Sequence, residues 1–322
     1  VTEQDATTLK TLSTNNSDMI TVTMAVASTS AADLNAIDLL TGTSINATAI
    51  TELTGTSTAI TTALASSGIT TVANSTLAVK VDSGTATVTE INTINNDSAS
   101  GVVTATVTSG AASVLKLLTT DSNDAITMTV NAEASGATAA ADLVSLNGNT
   151  NKAITMTAVT SVSGSYADLL DVYVTNAGQY NGEGDEAVTI TGTVTAAQAD
   201  AIADVTSGVV TATIDADTAS ALNAALSDAQ VNAYTLTISA GSAVATDLTS
   251  LDSKTSVAVN AAAVTVITGS ATEVAAAYAA NPTTGITGLG NENVEITGTT
   301  VATLEELKAI NNATSGTITL NA

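Results

Sequence analysis

One short phrase recurs about a dozen times along this chain. It consists of an apolar–Thr–apolar–Thr run, a turn containing Gly or Ser, and an Ala/Leu-rich stretch that begins with Ser or Thr. Clear copies are Val102–Thr108 followed by Ala111–Leu118, and Val209–Ile214 followed by Thr218–Ser227. Such self-similarity is the signature of a repeat architecture. The chain is therefore expected to grow by adding similar coils rather than by building one large core.

The first half of the phrase has the two-residue period of a β-strand. Val103, Ala105 and Val107 alternate with threonines, which places aliphatic side chains on one face and threonine on the other. Threonine is β-branched and is well suited to the exposed face of a strand. The same alternation returns at residues 20–24, 126–130, 154–157 and 188–191.

The second half of the phrase has the signals of a short helix. Ser or Thr is repeatedly followed three residues later by an acid or an amide, which predicts capping boxes at helix starts. These pairs are Ser30–Asp33, Thr87–Glu90, Ser165–Asp168, Thr195–Gln198, Ser270–Glu273 and Thr303–Glu306. Helices of two or three turns are unstable alone, so they are expected to pack on the strands. Many of the acidic residues thereby acquire a local structural role.

The spacing of these helices predicts the fold. The central apolar positions are Leu9, Leu34, Ile60, Ile91, Leu115, Leu143, Leu169, Ala199, Leu222, Leu248, Val274 and Leu307. They recur about every 27 residues, and alternation of strand and helix implies parallel strands. We therefore predict the α/β class: a repeat solenoid with a parallel β-sheet, in which each coil holds one strand and one short helix. Residues 1–322 would form one continuous solenoid of about 12 coils, and thus a rod of about 60 Å.

The sequence also contains a longer internal repeat that spans several coils. Residues 43–107 and 255–320 resemble two copies of one block, about 215 residues apart. For example, AITELTG at 49–55 corresponds to AVTVITG at 263–269. Solenoids normally carry polar capping repeats, and none is evident here. The sequence therefore predicts that the repeats continue beyond Ala322.

Composition excludes several kinds of chemistry. The 322 residues include no His, Cys, Trp or Phe, and the six cationic side chains are all lysines. The usual general base, thiolate nucleophile and zinc ligands are thus missing. A net charge of −24 argues against nucleic acid as a partner and favours divalent cations. No apolar run approaches the length of a membrane span, so no membrane insertion is expected.

The phrases are similar to those of the giant repetitive cell-surface proteins of marine cyanobacteria and related secreted bacterial repeat proteins. The likeness is carried by ADAIADVTSGVVTATIDADTASALNAAL at 199–226. It is also carried by residues 247–318, which include VTVITGSATEVAAAYAANPTTGITGLGNENVEITG. The resemblance implies a secreted, surface-associated or filamentous structural role and provides no catalytic residues. The Gly/Asp nonapeptide repeats of calcium-dependent secreted toxins are absent, so their metal sites do not transfer.

One segment departs from the repeat. Residues 166–186 hold three of the five tyrosines and a Gly-rich loop with the densest group of acids. We predict Ca²⁺ as a candidate ligand of Asn181, Glu183, Asp185 and Glu186, because hard cations prefer several oxygens from a flexible loop. The spacing of an EF-hand is absent, and a solvated acidic loop is the alternative interpretation.

Paired carboxylates elsewhere raise the question of glycoside hydrolysis. Asp121 and Asp124 form one close pair, and Asp215 and Asp217 form another. Both pairs lie between a predicted strand and a helix, where turn and capping roles account for them. A regular rod also implies no cleft. We therefore predict that the chain is not an enzyme.

The sequence thus favours an extracellular or cell-surface structural protein. Coils would stack into a rod or filament, as in a surface layer, fibre or sheath, and copies of the chain would associate end to end through unpaired strand edges. The alternative is a ligand-binding stalk or adhesin that uses the 166–186 segment. A further alternative is ice binding by the Thr-x-Thr ladders, which resemble the ice-binding faces of some β-solenoid antifreeze proteins.

Overall fold

The computed structural model describes residues 1–3, 5–71, 77–98, 101–280, 285–298 and 301–321. In this part of the chain the fold is mixed α/β, with short parallel sheets and twelve short α-helices. The helices are α1 (Ala6–Leu9), α2 (Ala31–Asp38), α3 (Ser57–Ala65), α4 (Val88–Ser98), α5 (Ala112–Leu115), α6 (Ala140–Asn147), α7 (Tyr166–Leu170), α8 (Ala196–Ala203), α9 (Ala219–Ala225), α10 (Ala245–Lys254), α11 (Ala271–Ala279) and α12 (Leu304–Ala313).

The strands are short and mostly precede or follow a helix by a few residues. They are β1 (Thr2–Glu3), β2 (Thr23–Met24), β3 (Ser28–Ser30), β4 (Ile45–Ala47), β5 (Glu52–Gly55), β6 (Ile69–Thr71), β7 (Ala78–Val81), β8 (Val103–Thr106), β9 (Gly110–Ala111), β10 (Ala125–Thr127), β11 (Val130–Asn131), β12 (Thr138–Ala139), β13 (Ile154–Thr155), β14 (Ser161–Gly164), β15 (Tyr180–Asn181), β16 (Ala187–Val194), β17 (Val210–Ile214), β18 (Ala233–Thr235), β19 (Gly241–Val244), β20 (Val259–Asn260), β21 (Val264–Gly269), β22 (Ile286–Thr287), β23 (Asn293–Ile296) and β24 (Ile318–Leu320).

The chain divides into two compact units. The first comprises Val1–Val159 with Asn176–Gly182, and the second comprises Thr160–Thr175 with Glu183–Ala322. In each unit, short parallel strands alternate with short helices, and we call one helix with the strands before it a coil. That residues 1–322 form one continuous solenoid stays a prediction, as does the superrepeat of 43–107 and 255–320. Asn281 and the only proline of the sequence, Pro282, predict a loop, and both lie outside the described residues.

In the first unit the strands form parallel ladders between successive coils. One sheet has the order β1-β2-β4-β6 and another the order β3-β5-β7-β8-β10. Leu53 pairs with Val79, and Val79 pairs with Val103, so equivalent residues of consecutive coils lie side by side. The predicted parallel pairing is therefore confirmed within this unit.

The second unit repeats this arrangement. Its strands run in the orders β14-β16-β17-β18 and β19-β21-β23-β24, with β20 beside β22. Val188 pairs with Val210, and Val266 pairs with Asn293, again in parallel.

Most coils differ from the prediction in having two strands, not one, before the helix. A tight turn divides the strand run, and its two halves belong to different sheets. The turn is closed by a backbone bond from Ile50 N to Ala47 O at 3.1 Å, and by equivalent bonds at Val159 and Val264. Most coils therefore run strand, turn, strand and helix, whereas β17 alone lies between α8 and α9, and three strands lie between α5 and α6. Across the turn the buried positions step by three residues rather than two, as at Ala47, Ile50 and Leu53.

Helix starts follow the predicted capping pattern. All six predicted cap hydroxyls accept a hydrogen bond from the backbone N–H three residues on. The returning bond from the N-cap N–H to the side chain is present in the four boxes that end in Glu or Gln. Asp33 and Asp168 have one methylene fewer than glutamate. At these two helix starts only the bond to the serine hydroxyl is present, without the returning bond to the carboxylate.

The core is thin and aliphatic. Eleven of the twelve predicted central residues, from Leu9 to Val274, are no more than 3% exposed. Burial of each leucine, isoleucine or valine among them contributes about 1.5–3 kcal/mol to the free energy of unfolding. Leu307 is the exception and is only partly buried, whereas Ile310 carries the buried position of α12. In the described part of the chain, α12 packs extensively on one helix only, α11.

A buried threonine closes the turn after many helices. Thr206 Oγ1 donates to Glu186 O at 2.7 Å and accepts from Gly208 N at 3.0 Å. This hydroxyl thus binds the preceding coil and its own turn together. Equivalent pairs of bonds are made by Thr41, Thr150, Thr255 and Thr314.

Candidate functional site

The predicted calcium ligands lie in different surroundings. Asn181 belongs to the first unit, where it is an exposed residue of β15 paired with Thr155. Glu183, Asp185 and Glu186 belong to the second unit. Within it, Glu183 is half-buried, Asp185 is exposed and Glu186 is completely buried.

Glu186 is turned into the protein interior rather than toward solvent. Its Oε2 atom accepts hydrogen bonds from the Tyr173 hydroxyl at 3.2 Å and from Gly184 N at 2.8 Å. Its Oε1 atom is buried and has no hydrogen-bond partner. Gly184 has a φ of 107°, a left-handed conformation that favours glycine and turns its N–H back to the carboxylate. The Glu186 carboxylate therefore bonds to the backbone of the loop that carries it.

Tyr173 reaches this carboxylate from a widened helical turn. Residues Asp171–Thr175 continue α7 as a single π-helical turn, and Val172 and Tyr173 are both buried. Burial raises the pKa of the Tyr173 hydroxyl, and the nearby charge of Glu186 raises it further. Tyr173 therefore stays a neutral donor to Glu186 at ordinary pH. Tyr180, in the first unit, is also buried and donates to Leu143 O at 3.1 Å.

The same arrangement occurs a second time in the second unit. Glu292 is 2% exposed and accepts a hydrogen bond from the Tyr278 hydroxyl. Gly290 N and Asn291 N also donate to it, at 2.8 and 3.1 Å. Both carboxylate oxygens of Glu292 are thus bonded, whereas Glu186 has one oxygen without a partner.

A sequence motif underlies both copies. Residues 182–192 read GEGDEAVTITG and residues 288–298 read GLGNENVEITG, so both follow Gly-x-Gly-Asx-Glu-x-Val-x-Ile-Thr-Gly. Each is completed by Thr-Ser-Gly further along the chain, at 206–208 and 314–316. This motif was not predicted, because the acids of residues 183–186 were interpreted as a local cluster. Comparison of the two loops would have found it.

The final glycine of each Thr-Ser-Gly lies against the glutamate backbone. A Cβ atom on Gly208 would lie 2.1 Å from Glu186 O, and one on Gly316 would lie 2.1 Å from Glu292 O. The glycines therefore permit a close approach of two backbone segments.

Other coils hold a buried polar residue at the corresponding place. Asp124 is 4% exposed and accepts from Val103 N at 2.7 Å and from Asp121 N at 2.9 Å. Asn232 is fully buried and accepts from Val210 N at 2.9 Å. Asp217, by contrast, is exposed and accepts from Thr218 N. These contacts are the turn and capping roles expected of the carboxylate pairs.

The chemistry available at these places is limited. Asp121 and Asp124 line a hollow of about 130 Å³, but both Asp124 oxygens already accept backbone N–H groups. Among the residues that the structure describes, no group of three or more Asp or Glu side chains is arranged to hold a metal ion. Over the same described residues, no helix combines the length and the apolar character needed to cross a membrane.

Comparisons of this chain with protein-family models, with curated proteins and with solved structures found no match.

The buried tyrosines predict a loss of stability in alkali. Burial raises the pKa values of Tyr173, Tyr234 and Tyr278 in the folded state, while unfolded tyrosines ionise near pH 10. The folded chain therefore keeps protons that the unfolded chain releases, and the free energy of unfolding is expected to fall as the pH rises above about 10. Urea unfolding across this range measures it, and Tyr173→Phe should reduce the slope. A free energy that stays constant above this pH would contradict the prediction.

Proposed function

We propose that this chain is a non-catalytic structural protein of the cell surface or extracellular space, built as an α/β solenoid that forms a rod or filament. The observation that carries the proposal is the in-register pairing of equivalent residues in consecutive coils of each unit. Such ladders bond the backbone of one coil to that of the next and leave each coil dependent on its neighbours. The resemblance to secreted bacterial repeat proteins favours the same role and location.

Side chains add a second set of links between coils. Asn35 Nδ2 donates to Ala59 O at 2.9 Å, and Asn223 Nδ2 donates to Asp247 Oδ1 at 3.0 Å. Lys116 Nζ pairs with Asp142 Oδ1 at 2.8 Å. Each of these bonds joins one helix to the next helix along the chain. The layer of helices and the strand ladders would therefore both resist bending, which favours a mechanical role.

Electron microscopy of the purified chain tests this function. We expect filaments or extended rods whose length grows with protein concentration, because association of unlike ends produces open assemblies. The chain with its net charge of −24 should assemble more readily as salt screens self-repulsion. Compact particles of a single copy at every concentration and salt level would contradict the proposal.

The same electron microscopy experiment also tests whether assembly requires calcium. We propose divalent cations as counter-ions of this acidic chain, with Glu183 and Asp185 the more accessible acids of the predicted site. Microscopy with calcium and with a chelator distinguishes assembly that requires calcium from assembly that does not. Filaments that disperse on chelation would support a calcium requirement, and filaments that persist would remove it while leaving the structural function intact.

Ice binding is a second candidate function, favoured by one observation. Thr193, Thr213 and Thr235 pair across β16, β17 and β18 and are all exposed. Their spacing follows the strand separation of about 4.8 Å. Thermal hysteresis of the purified chain tests this function, and its absence at high concentration would exclude it.

A further inference from the structure

The tripeptide Asn-x-Ser/Thr, with a residue other than proline in the middle, occurs four times in the described part of the chain. The copies begin at Asn15, Asn46, Asn96 and Asn312. A further copy at residues 74–76 lies outside the described residues. This tripeptide accepts N-linked sugar on secreted proteins. Because so short a pattern also arises by chance in a chain rich in Asn, Ser and Thr, the surroundings of each copy decide which of them a transferase can reach.

Asn46 lies at the surface, where β4 runs into a tight turn. Asn46 and Thr48 are both exposed. Asn46 Oδ1 accepts hydrogen bonds from Thr48 N at 3.2 Å and from Thr48 Oγ1 at 2.7 Å, the arrangement of an Asx turn. Asn46 Nδ2 has no hydrogen bond with any residue that the structure describes. The nitrogen that would carry a sugar is therefore accessible, and the threonine that completes the tripeptide lies beside it.

The bonds to Oδ1 also favour the reaction itself. In N-glycosylation the amide nitrogen attacks the anomeric carbon of a sugar that a phosphate group activates. The new carbon–nitrogen bond forms as the bond from that carbon to the phosphate oxygen breaks, the phosphate leaves with the electron pair, and the amide gives one proton to a base of the transferase. Two donors on Asn46 Oδ1 draw electron density from the amide and so ease the loss of that proton.

Asn15 has the same local arrangement. Asn15 and Ser17 are exposed, and Asn15 Oδ1 accepts a hydrogen bond from Ser17 N at 2.9 Å. The turn is closed by a backbone bond from Asp18 N to Asn15 O at 2.9 Å. Asn15 and Asn46 therefore both present an accessible asparagine and an accessible hydroxyl in a turn.

The other two copies bury the residue that completes the tripeptide. Asn312 lies in α12, and the hydroxyl of its partner Thr314 donates to Glu292 O at 2.7 Å and accepts from Gly316 N at 2.9 Å. Asn96 lies in α4, and its partner Ser98 is 3% exposed. A transferase that must contact this hydroxyl cannot do so at either place without opening the helix end.

We propose that Asn15 and Asn46 are acceptor sites for N-linked oligosaccharide, and that the fold withholds Asn96 and Asn312 from the same reaction. The inference rests on the extracellular location proposed above, because sugar of this kind is added to secreted chains. A sugar on Asn46 is attached beside Thr23 and Thr70, its partners in β2 and β6. Such a bulky, hydrophilic group keeps this surface of the first unit in solvent.

Transfer of sugar to the folded full chain tests the inference. The probes are a purified oligosaccharyltransferase that recognises Asn-x-Ser/Thr and a lipid-linked oligosaccharide, and peptide mapping by mass spectrometry measures the modified fraction at each asparagine. Asn46–Thr48 and Asn312–Thr314 are a matched pair, because both read Asn-Ala-Thr. Release of the Thr314 hydroxyl breaks two hydrogen bonds, so we expect transfer to Asn46 to be at least about tenfold faster than transfer to Asn312. Digestion of the chain with a protease before the reaction should remove this difference.

Variants of Thr48 show that the hydroxyl is what the transferase requires. Thr48→Val should abolish modification of Asn46 and leave Asn15 unchanged, whereas Thr48→Ser should retain modification of both. Circular dichroism of each variant checks that the fold is kept.

Two results would overturn the inference. One is equal modification of Asn46 and Asn312 in the folded chain, and the other is absence of transfer to Asn46 when the digested chain is modified there. Either result leaves the structural function standing, because electron microscopy tests assembly separately.

Discussion

Replacing Glu186 with alanine is expected to lower the free energy of unfolding by about 3 kcal/mol. The change leaves the Tyr173 hydroxyl and Gly184 N–H buried without their acceptor, and each buried unsatisfied donor costs about 1–3 kcal/mol. It also leaves a cavity beside Tyr173, which adds to the loss. Relief of a buried charge offsets part of this sum.

Glutamine at the same position is the matched control. An amide oxygen in place of Oε2 keeps both acceptor bonds, and the amide nitrogen takes the place of Oε1, which has no partner. Glu186→Gln should therefore cost less than half as much as Glu186→Ala. Glu292→Gln should cost more than Glu186→Gln, because both oxygens of Glu292 accept hydrogen bonds.

Urea unfolding of the four proteins measures these differences. Hydrogen exchange of the second unit shows whether the loss is local, which matters because repeat chains often unfold in parts. Equal losses for alanine and glutamine at position 186 would mean that the carboxylate bonds do not carry the effect.

Replacing Gly208 with alanine is expected to be similarly severe, at about 3 kcal/mol. The new Cβ would lie 2.1 Å from Glu186 O, 2.3 Å from Glu186 C and 2.6 Å from Ala187 N. All three atoms belong to backbone, so no side-chain movement relieves the contact. The two segments must separate, which lengthens the nearby bond from Thr206 Oγ1 to Glu186 O. Overpacking of this kind typically costs about 1–3 kcal/mol and occasionally more.

Gly178→Ala provides the control for this prediction. A Cβ atom at Gly178 meets nothing within 4 Å, so the change is expected to stay within about 0.5 kcal/mol. Gly316→Ala should reproduce the effect of Gly208→Ala, since its Cβ would also lie 2.1 Å from a buried glutamate carbonyl. The midpoints of urea unfolding compare the three variants. A stable Gly208→Ala protein would show that the two segments separate at little cost.

Local patterns in the sequence predicted local structure well. The pair Thr195–Gln198 predicted a capping box, and both of its bonds are present. Leu248 was predicted as the centre of a helix and is fully buried in α10. These features depend on residues three or four positions apart, so their spacing alone specifies them.

Features that depend on contacts between coils were harder to predict. Each coil was predicted to hold one strand, whereas a turn at Ile50 separates β4 from β5, and these two strands belong to different sheets. Glu186 was predicted to be a metal ligand, whereas its carboxylate accepts hydrogen bonds from Tyr173 and Gly184 inside the protein. In the sequence an acid beside glycines has the same appearance whether it meets solvent, a cation or a tyrosine hydroxyl.

The sequence by itself determined the repeat, the parallel pairing of strands and the starts of the helices, because these follow from composition and spacing within one coil. Only the tertiary structure decided which polar side chains are buried. Glu186 and Glu292 are enclosed by a tyrosine from the preceding helical segment and by a Thr-Ser-Gly turn. The threonine of that turn lies 20 positions along the chain from Glu186 and 22 from Glu292. The distinction between Leu307 and its buried equivalents has the same origin, since burial depends on what the next coil covers.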